Sequence, residues 1–307
     1  MTTYEDVKEA RERALKARIA ARRAEADKKA KEAAQKRAER EALAKSRWPV
    51  TRQLRARLLK GAMIVTVMNI NQALLAQDAG ATAIWAVEKP TGLVVRMPTP
   101  VEIKKYMNEV LIPVIAGVRI GHLLEAKVME SIGVNVVDES NIISTETGIL
   151  NFSKRELGIP AICAVASLGD CLLRIQEGAL ILRIAGIRDG KNVQMALRTL
   201  FSIQQVISEF RTKPEVYKKY LEDEAYYKPL VEDIYRNGRL PVLLFGSGGV
   251  HAPSDAAIMM KHGCDGIIID NNVFTGPDPY AHIQSIIQAS KDFDNVAKIC
   301  ELSNQMI

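Results

Sequence analysis

The chain has 307 residues, of which 48% are hydrophobic and 25% charged, an ordinary balance for a globular protein of one large or two small domains. No run of about 18 uncharged apolar residues occurs, which argues against a transmembrane helix. Cys163, Cys171, Cys264 and Cys300 form no CxxC pair, so a zinc ribbon, a redox dithiol and a disulfide framework are all disfavoured; a reducing, cytoplasmic setting is expected, with no metal and no cofactor.

The net charge of +6 sits at one end. Residues 1–47 hold 15 basic and 9 acidic side chains, and the rest of the chain holds 27 of each. The sequence therefore divides into a basic arm, 1–47, and a neutral body, 48–307. The arm has 13 alanines and neither Gly nor Pro, so it reads as one long helix. Acid-before-base pairs recur at four-residue spacing, among them Glu9/Arg13, Glu25/Lys29 and Glu41/Lys45, each worth about 0.2–0.5 kcal/mol. Thr2-Thr3-Tyr4-Glu5 offers a capping-box start, and Pro49 disfavours helix at Trp48. Val7, Leu15, Ile19 and Leu43 are too sparse for a coiled-coil seam. The arm reads either as a solvated, ion-paired helix or as an anchor on an acidic partner surface, nucleic acid or protein. An anionic membrane comes third, because no strong apolar face is present.

In the body, short apolar runs alternate with helical patterns. The runs are Met63–Met68, Ala83–Val87, Pro113–Ala116, Val134–Asp138, Ala161–Val165, Leu180–Ile184, Val242–Phe245 and Gly266–Ile269. Helices are expected over Asn71–Ala79, Val101–Asn108, Leu123–Ser131, Gly169–Glu177, Asn192–Phe210 and Ser254–His262. Continuous apolar strands separated by helices imply a parallel sheet covered on its faces. Eight such units fit a single α/β (β/α)8 TIM barrel, with a doubly wound open sheet as the alternative; no GxGxxG follows the first strand to favour the latter.

Chemistry in such a barrel lies at the C-terminal ends of the strands. Those ends read Thr66, Glu88, Gly117, Asp138, Val165, Ala185, Gly246 and Asp270, a set with no lysine, histidine or cysteine. Arg119 and His122 follow the third strand and are candidates for the same mouth. Glu88, Arg119, His122 and Asp138 are the retained acid/base and anion-binding candidates, although Arg119 and Asp138 are also placed to pair simply with each other, and His122 to cap a helix. His251 follows Gly248-Gly249 and is read as solvated, with contact to an anion as the alternative; His262 and His282 are read as isolated on helices, Trp85 as packing at the second strand, and all four cysteines as small core residues. The tyrosine-rich stretch Tyr217–Tyr235 reads as a half-buried surface between helices, with stacking on nucleic acid as the alternative.

Several motifs in order carry a family likeness: Leu59-Lys60-Gly61, Gln77-Asp78-Ala79-Gly80-Ala81, Arg119-Ile120-Gly121-His122, Asp138-Glu139-Ser140, Gly238-Arg239-Leu240-Pro241-Val242, Gly248-Gly249-Val250 and Asp265-Gly266. Over residues 54–303 the chain resembles the synthase subunit of glutamine-dependent pyridoxal 5′-phosphate synthase. The resemblance implies a (β/α)8 barrel in hexameric or dodecameric rings. It also implies a condensation of pentose phosphate, triose phosphate and ammonia through two Schiff-base lysines and an aspartate. Those positions match Gly117, Ala185 and Thr66 here, so none of the three groups is intact. The phosphate cup is degraded too. Gly248 and Gly249 are retained, but Asp189-Gly190-Lys191 and Asp270-Asn271 stand where the family has glycine-rich runs. The segment after Glu88 is shorter than the family's lid, the likeness ends short of the family's tail, and the arm replaces the segment that docks the glutaminase, so that docking is doubtful. The expectation is a pseudoenzyme: a homo-oligomeric ring, or a hetero-ring with an active paralogue, acting as a structural or regulatory subunit. The alternative is an active lyase or synthase of vitamin B6 formation with relocated residues.

Overall fold

The computed structural model of the protein describes residues 59–87, 97–139, 151–184, 193–223 and 227–304, together with Lys31, which is helical. The remainder of the arm 1–47 lies outside the described residues, and the barrel belongs to a unit spanning Val50–Ile307. Eight strands form a closed, all-parallel barrel in chain order: β1 (Met63–Val67), β2 (Ala83–Ala86), β3 (Val114–Val118), β4 (Val136–Glu139), β5 (Ala161–Val165), β6 (Ile181–Ile184), β7 (Leu243–Val250) and β8 (Gly266–Ile269). β8 closes on β1 through Met63↔Ile267, Ile64↔Ile268 and Val65↔Ile269. The open-sheet alternative is thereby set aside.

Helices cover the outside: α1 (Ile70–Asp78), α2 (Pro100–Glu109), α3 (Leu123–Ser131), α4 (Leu168–Gln176), α5 (Val193–Thr212), α6 (Pro214–Asp223), α7 (Lys228–Asn237), α8 (Pro253–Lys261), α9 (Pro279–Lys291) and α10 (Val296–Asn304). Their starts follow local chemistry. Asn69 accepts from the Gln72 amide at α1, Ser167 from the Asp170 amide at α4 and Asp278 from the Ala281 amide at α9. Thr99 and Glu102 form a capping box ahead of Pro100.

Most strand and helix expectations hold to within a residue or two. β3 starts after Pro113, which has no N–H for the ladder; its carbonyl still accepts from Ile84. β7 is the larger departure. It runs on through Gly246-Ser247-Gly248-Gly249 to Val250, so Gly246 lies mid-strand rather than at the strand end.

The period of two divides each strand between two cores. Val65, Ala116, Val137, Cys163, Leu182 and Ile267 pack in the cluster shared with the helices. The alternate residues Ile64, Ile115, Ile162, Ile181, Phe245 and Ile268 are also buried but stand outside that cluster; they fill the barrel. Small residues make room for large ones. A Cβ on Gly266 would come within 2.6 Å of the Ala62 carbonyl oxygen and closer still to the Phe245 ring. Above this floor the interior changes character.

Candidate functional site

Toward the C-terminal end, the inward positions are Thr66, Gly117 and Ala164 on β1, β3 and β5, each half-buried, and Trp85, Asp138 and Arg183 on β2, β4 and β6. Register ties the two sets together: Thr66↔Trp85, Gly117↔Asp138 and Ala164↔Arg183. Arg183 reaches across the interior. Its Nε donates to Asp138 Oδ2 at 3.0 Å, and its guanidinium lies 5.0 Å from the Trp85 ring centroid, a cation–π stack. Asp138 is fully buried and the Arg183 side chain 11% exposed. Small half-buried residues thus ring a buried, charged floor.

Gly117 stands on this ring with no side chain, and the space is real: the nearest heavy atom to a Cβ built there is Trp85 Nε1, at 3.8 Å. That indole nitrogen is buried with no hydrogen-bond partner. Thr66 joins Gly117 in the same mouth. Ala185, Glu88, Asp189, Gly190 and Lys191 lie outside the described residues.

Two expected associations do not form. Arg119 does not meet Asp138. It follows β3, beyond the strand's alternation, and turns to Glu125 in the first turn of α3: its Nε donates to Oε1 at 2.7 Å, and its backbone amide to Oε2 at 2.9 Å. Asp138 points into the barrel and takes Arg183 instead. His122 occupies the N-cap position of α3, but its side chain makes no cap bond; its carbonyl accepts from the amides of Glu125 at 3.0 Å and Ala126 at 3.4 Å.

The paired glycines sit at the end of β7 with φ of 98° and 92° for Gly248 and Gly249, left-handed values that favour glycine. His251 Nδ1 lies 2.9 Å from the Gly249 carbonyl, and its side chain is 56% exposed, as expected for a solvated loop histidine. Asp270 accepts from the Asn272 amide at 2.9 Å, capping its own short turn, and Asn271 donates to Met68 Sδ at 3.2 Å. Both side chains thus have local tasks beside the glycines. His282 is not isolated: its Nε2 meets the His251 carbonyl at 2.5 Å. Nor is His262, whose ring packs edge-on against Phe201 at 4.5 Å. Tyr217 stacks on Tyr235 at 4.5 Å, bridging α6 and α7. Cys163, Cys171 and Cys264 are buried, whereas Cys300 is exposed, because the C-terminal helix α10 packs on α8 and α9 by one face only.

A second charged cluster lies one residue away, on the outer side of β4. Glu139 accepts from the amides of Gly121 at 2.9 Å and Phe152 at 3.2 Å, and Lys154 Nζ lies 2.5 Å from its Oε2. Glu177 reaches the same ammonium at 2.5 Å and Arg174 at 2.9 Å. Burial pushes the Glu139 carboxyl up while Lys154 pulls it back. Burial also lowers the Lys154 ammonium, but neighbouring Cys163, the Glu139 charge and the hydrogen bonds to Glu139 and Glu177 outweigh this and leave it raised. Lys154 is fully buried and held protonated, so it is no nucleophile.

The sequence reading missed Trp85 and Arg183 as site residues. The signal was available. An arginine in the apolar run Ile181–Ile184, on the opposite parity to Leu182 and Ile184, has to enter the barrel and so requires a buried carboxylate. Asp138 has that parity.

A closed parallel barrel with its charged and glycine-rich residues gathered at the strands' C-terminal face belongs to the (β/α)8 class. The sequence pattern of the SOR/SNZ family matches residues 49–247. The chain is 38% identical to the pyridoxal 5′-phosphate synthase subunit PdxS of Methanopyrus kandleri, over 82% of this chain and 88% of that one. It is also 38% identical to the pyridoxal 5′-phosphate synthase subunit PDX1.1 of Arabidopsis thaliana, over 81% and 82%. Among solved structures, thiamine phosphate pyrophosphorylase from Pyrococcus furiosus superposes with a TM-score of 0.50 at 13% identity, covering 79% of this chain and all of that one, a likeness of fold alone. The chain belongs to the SOR/SNZ family.

Proposed function

We propose that this chain is a catalytically degenerate member of its family: a barrel that keeps the architecture of a pyridoxal 5′-phosphate synthase subunit and acts as a structural or regulatory ring-forming subunit. The observation that carries this reading is Gly117, an inward mouth position with open space and no side chain, where the resemblance calls for a Schiff-base lysine. A carbonyl substrate cannot be held covalently by a glycine. Ala185 and Thr66, in place of the second lysine and the aspartate, point the same way. Lys154, the fully buried lysine among the described residues, is sealed in ion pairs outside the barrel and offers no replacement.

The ring would be homo-oligomeric, a hexamer or dodecamer, or mixed with an active paralogue. The basic arm 1–47 would lie on an acidic partner surface, and docking of a glutaminase is disfavoured. Among the described residues no helix is long and apolar enough to cross a membrane, and no group of three His, Cys, Asp or Glu is placed to hold a metal ion. A cytoplasmic location belongs to the same proposal.

A second reading, a lyase or synthase with relocated chemistry, draws support from one feature: the Asp138–Arg183 pair still stands in the mouth. Intact mass after incubation with ribose 5-phosphate and borohydride separates the two. The degenerate reading expects no adduct on folded protein, beside a clear adduct on an active relative. A stoichiometric adduct overturns it, and the labelled peptide would name the substitute lysine.

A further inference from the structure

The barrel interior contains a donor that the fold does not use. Trp85 is 8% exposed, and its indole N–H has no hydrogen-bond partner, a standing cost for a buried polar group. The same nitrogen faces the space beside Gly117, 3.8 Å from where a Cβ would stand. Arg183 lies over the Trp85 ring. Its Nε is engaged by Asp138, and its two terminal nitrogens make no hydrogen bond among the described residues. Two opposite strands therefore bring an unpartnered N–H and a stacked guanidinium together beside the inward positions Thr66, Gly117 and Ala164.

From this convergence we infer that the mouth binds a small organic monocarboxylate, with one oxygen on the Trp85 N–H and the other on the free edge of Arg183. Two coplanar oxygens match a guanidinium edge and an adjacent N–H. A dianion is disfavoured, because Asp138 already balances Arg183 and would face the second negative charge. The rim of short side chains sets the size: two to four carbons, as in acetate or pyruvate. This deepens the reading of a barrel without its mouth lysine, since a side chain at position 117 would occupy the same space.

The test uses the full-length chain with Trp48→Phe, so that Trp85 is the one indole and reports directly. Pyruvate and acetate are titrated, with acetamide and inorganic phosphate as comparators. The expected result is a saturable change in indole emission with the two carboxylates and none with acetamide or phosphate. Gly117→Val, which fills the cup, should weaken binding at least tenfold while the circular dichroism spectrum and Tm stay near those of the parent. Calorimetry on Trp85→Phe should show a similar loss. The inference is overturned by the absence of saturation up to tens of millimolar carboxylate, by an equal response to acetamide or phosphate, or by undiminished affinity in Gly117→Val. A ribose 5-phosphate adduct would overturn the degenerate reading without touching this one, because residue 117 remains glycine in either case.

Discussion

Asp138 and Glu139 are neighbours in the chain and sit in different environments. Asp138 points into the barrel, where one arginine meets it beneath a half-open cup. Glu139 points outward, where two backbone amides and the Lys154 ammonium enclose it and Glu177 and Arg174 extend the network. The outer cluster is closed and its charges are ion-paired, which fits a role in holding the loop before β5 to the barrel. The inner one leaves the Trp85 N–H without a partner beside the side-chain-free Gly117. Two adjacent carboxylates thus differ in their surroundings: one is enclosed in an ion-paired network, the other sits beside a mouth position without a side chain.

The contrast can be broken at several points. The largest effect concerns Cys163, whose side chain lies on the outer face of β5 beside Lys154. Burial pushes its thiol up to about 12, so the thiolate fraction at pH 8 is roughly one part in 10⁴. Native alkylation with iodoacetamide should label Cys300 and leave Cys163 unmodified until the protein is unfolded; fast labelling of Cys163 would mean that the outer cluster opens readily. Next comes Lys154→Met, which strands Glu139 in the outer core and should cost about 3–5 kcal/mol in urea denaturation. Its pH dependence carries the sign. The raised Lys154 ammonium stabilises the parent fully below about pH 10.5, the unfolded value, and that contribution is lost as pH rises through the folded value. The variant should lack this alkaline loss. It should instead regain stability on acidification, as Glu139, itself raised, takes up a proton.

Inside the barrel, the tight floor and the open mouth should answer differently to one added methyl. Gly266→Ala drives a Cβ against the Ala62 carbonyl and the Phe245 ring and should cost about 1–3 kcal/mol. Gly117→Ala meets nothing closer than 3.8 Å and should change stability by less than about 0.5 kcal/mol. Equal costs at the two glycines, measured by thermal melts, would remove the case for a cup at the mouth.

The barrel was legible because its signals are local. Apolar runs bounded by turn residues mark strands, and Asn69, Thr99 and Ser167 mark helix starts. Parity along β4 was readable too, since alternate residues face opposite sides. The partners were not. Arg183 lies 45 residues from Asp138, and only barrel closure brings β6 opposite β2 and within reach of β4. Arg119 looked like the partner because it follows β3, but past the strand's end the chain turns outward, and the nearest carboxylate is Glu125 in the next helix. Cys300 is exposed against expectation, because the spacing of a short terminal helix does not say how many of its faces are covered.

What the residues determined by themselves is therefore the repeating unit, the places where helices start and the absence of a lysine at Gly117 and Ala185, because these depend on local backbone chemistry and side-chain identity. What the tertiary structure alone decided is which buried charges meet, which cluster is sealed, and that Trp85 is left with an unused N–H over an empty position. Those outcomes depend on the closure of eight strands into one interior, where residues far apart in the chain become neighbours.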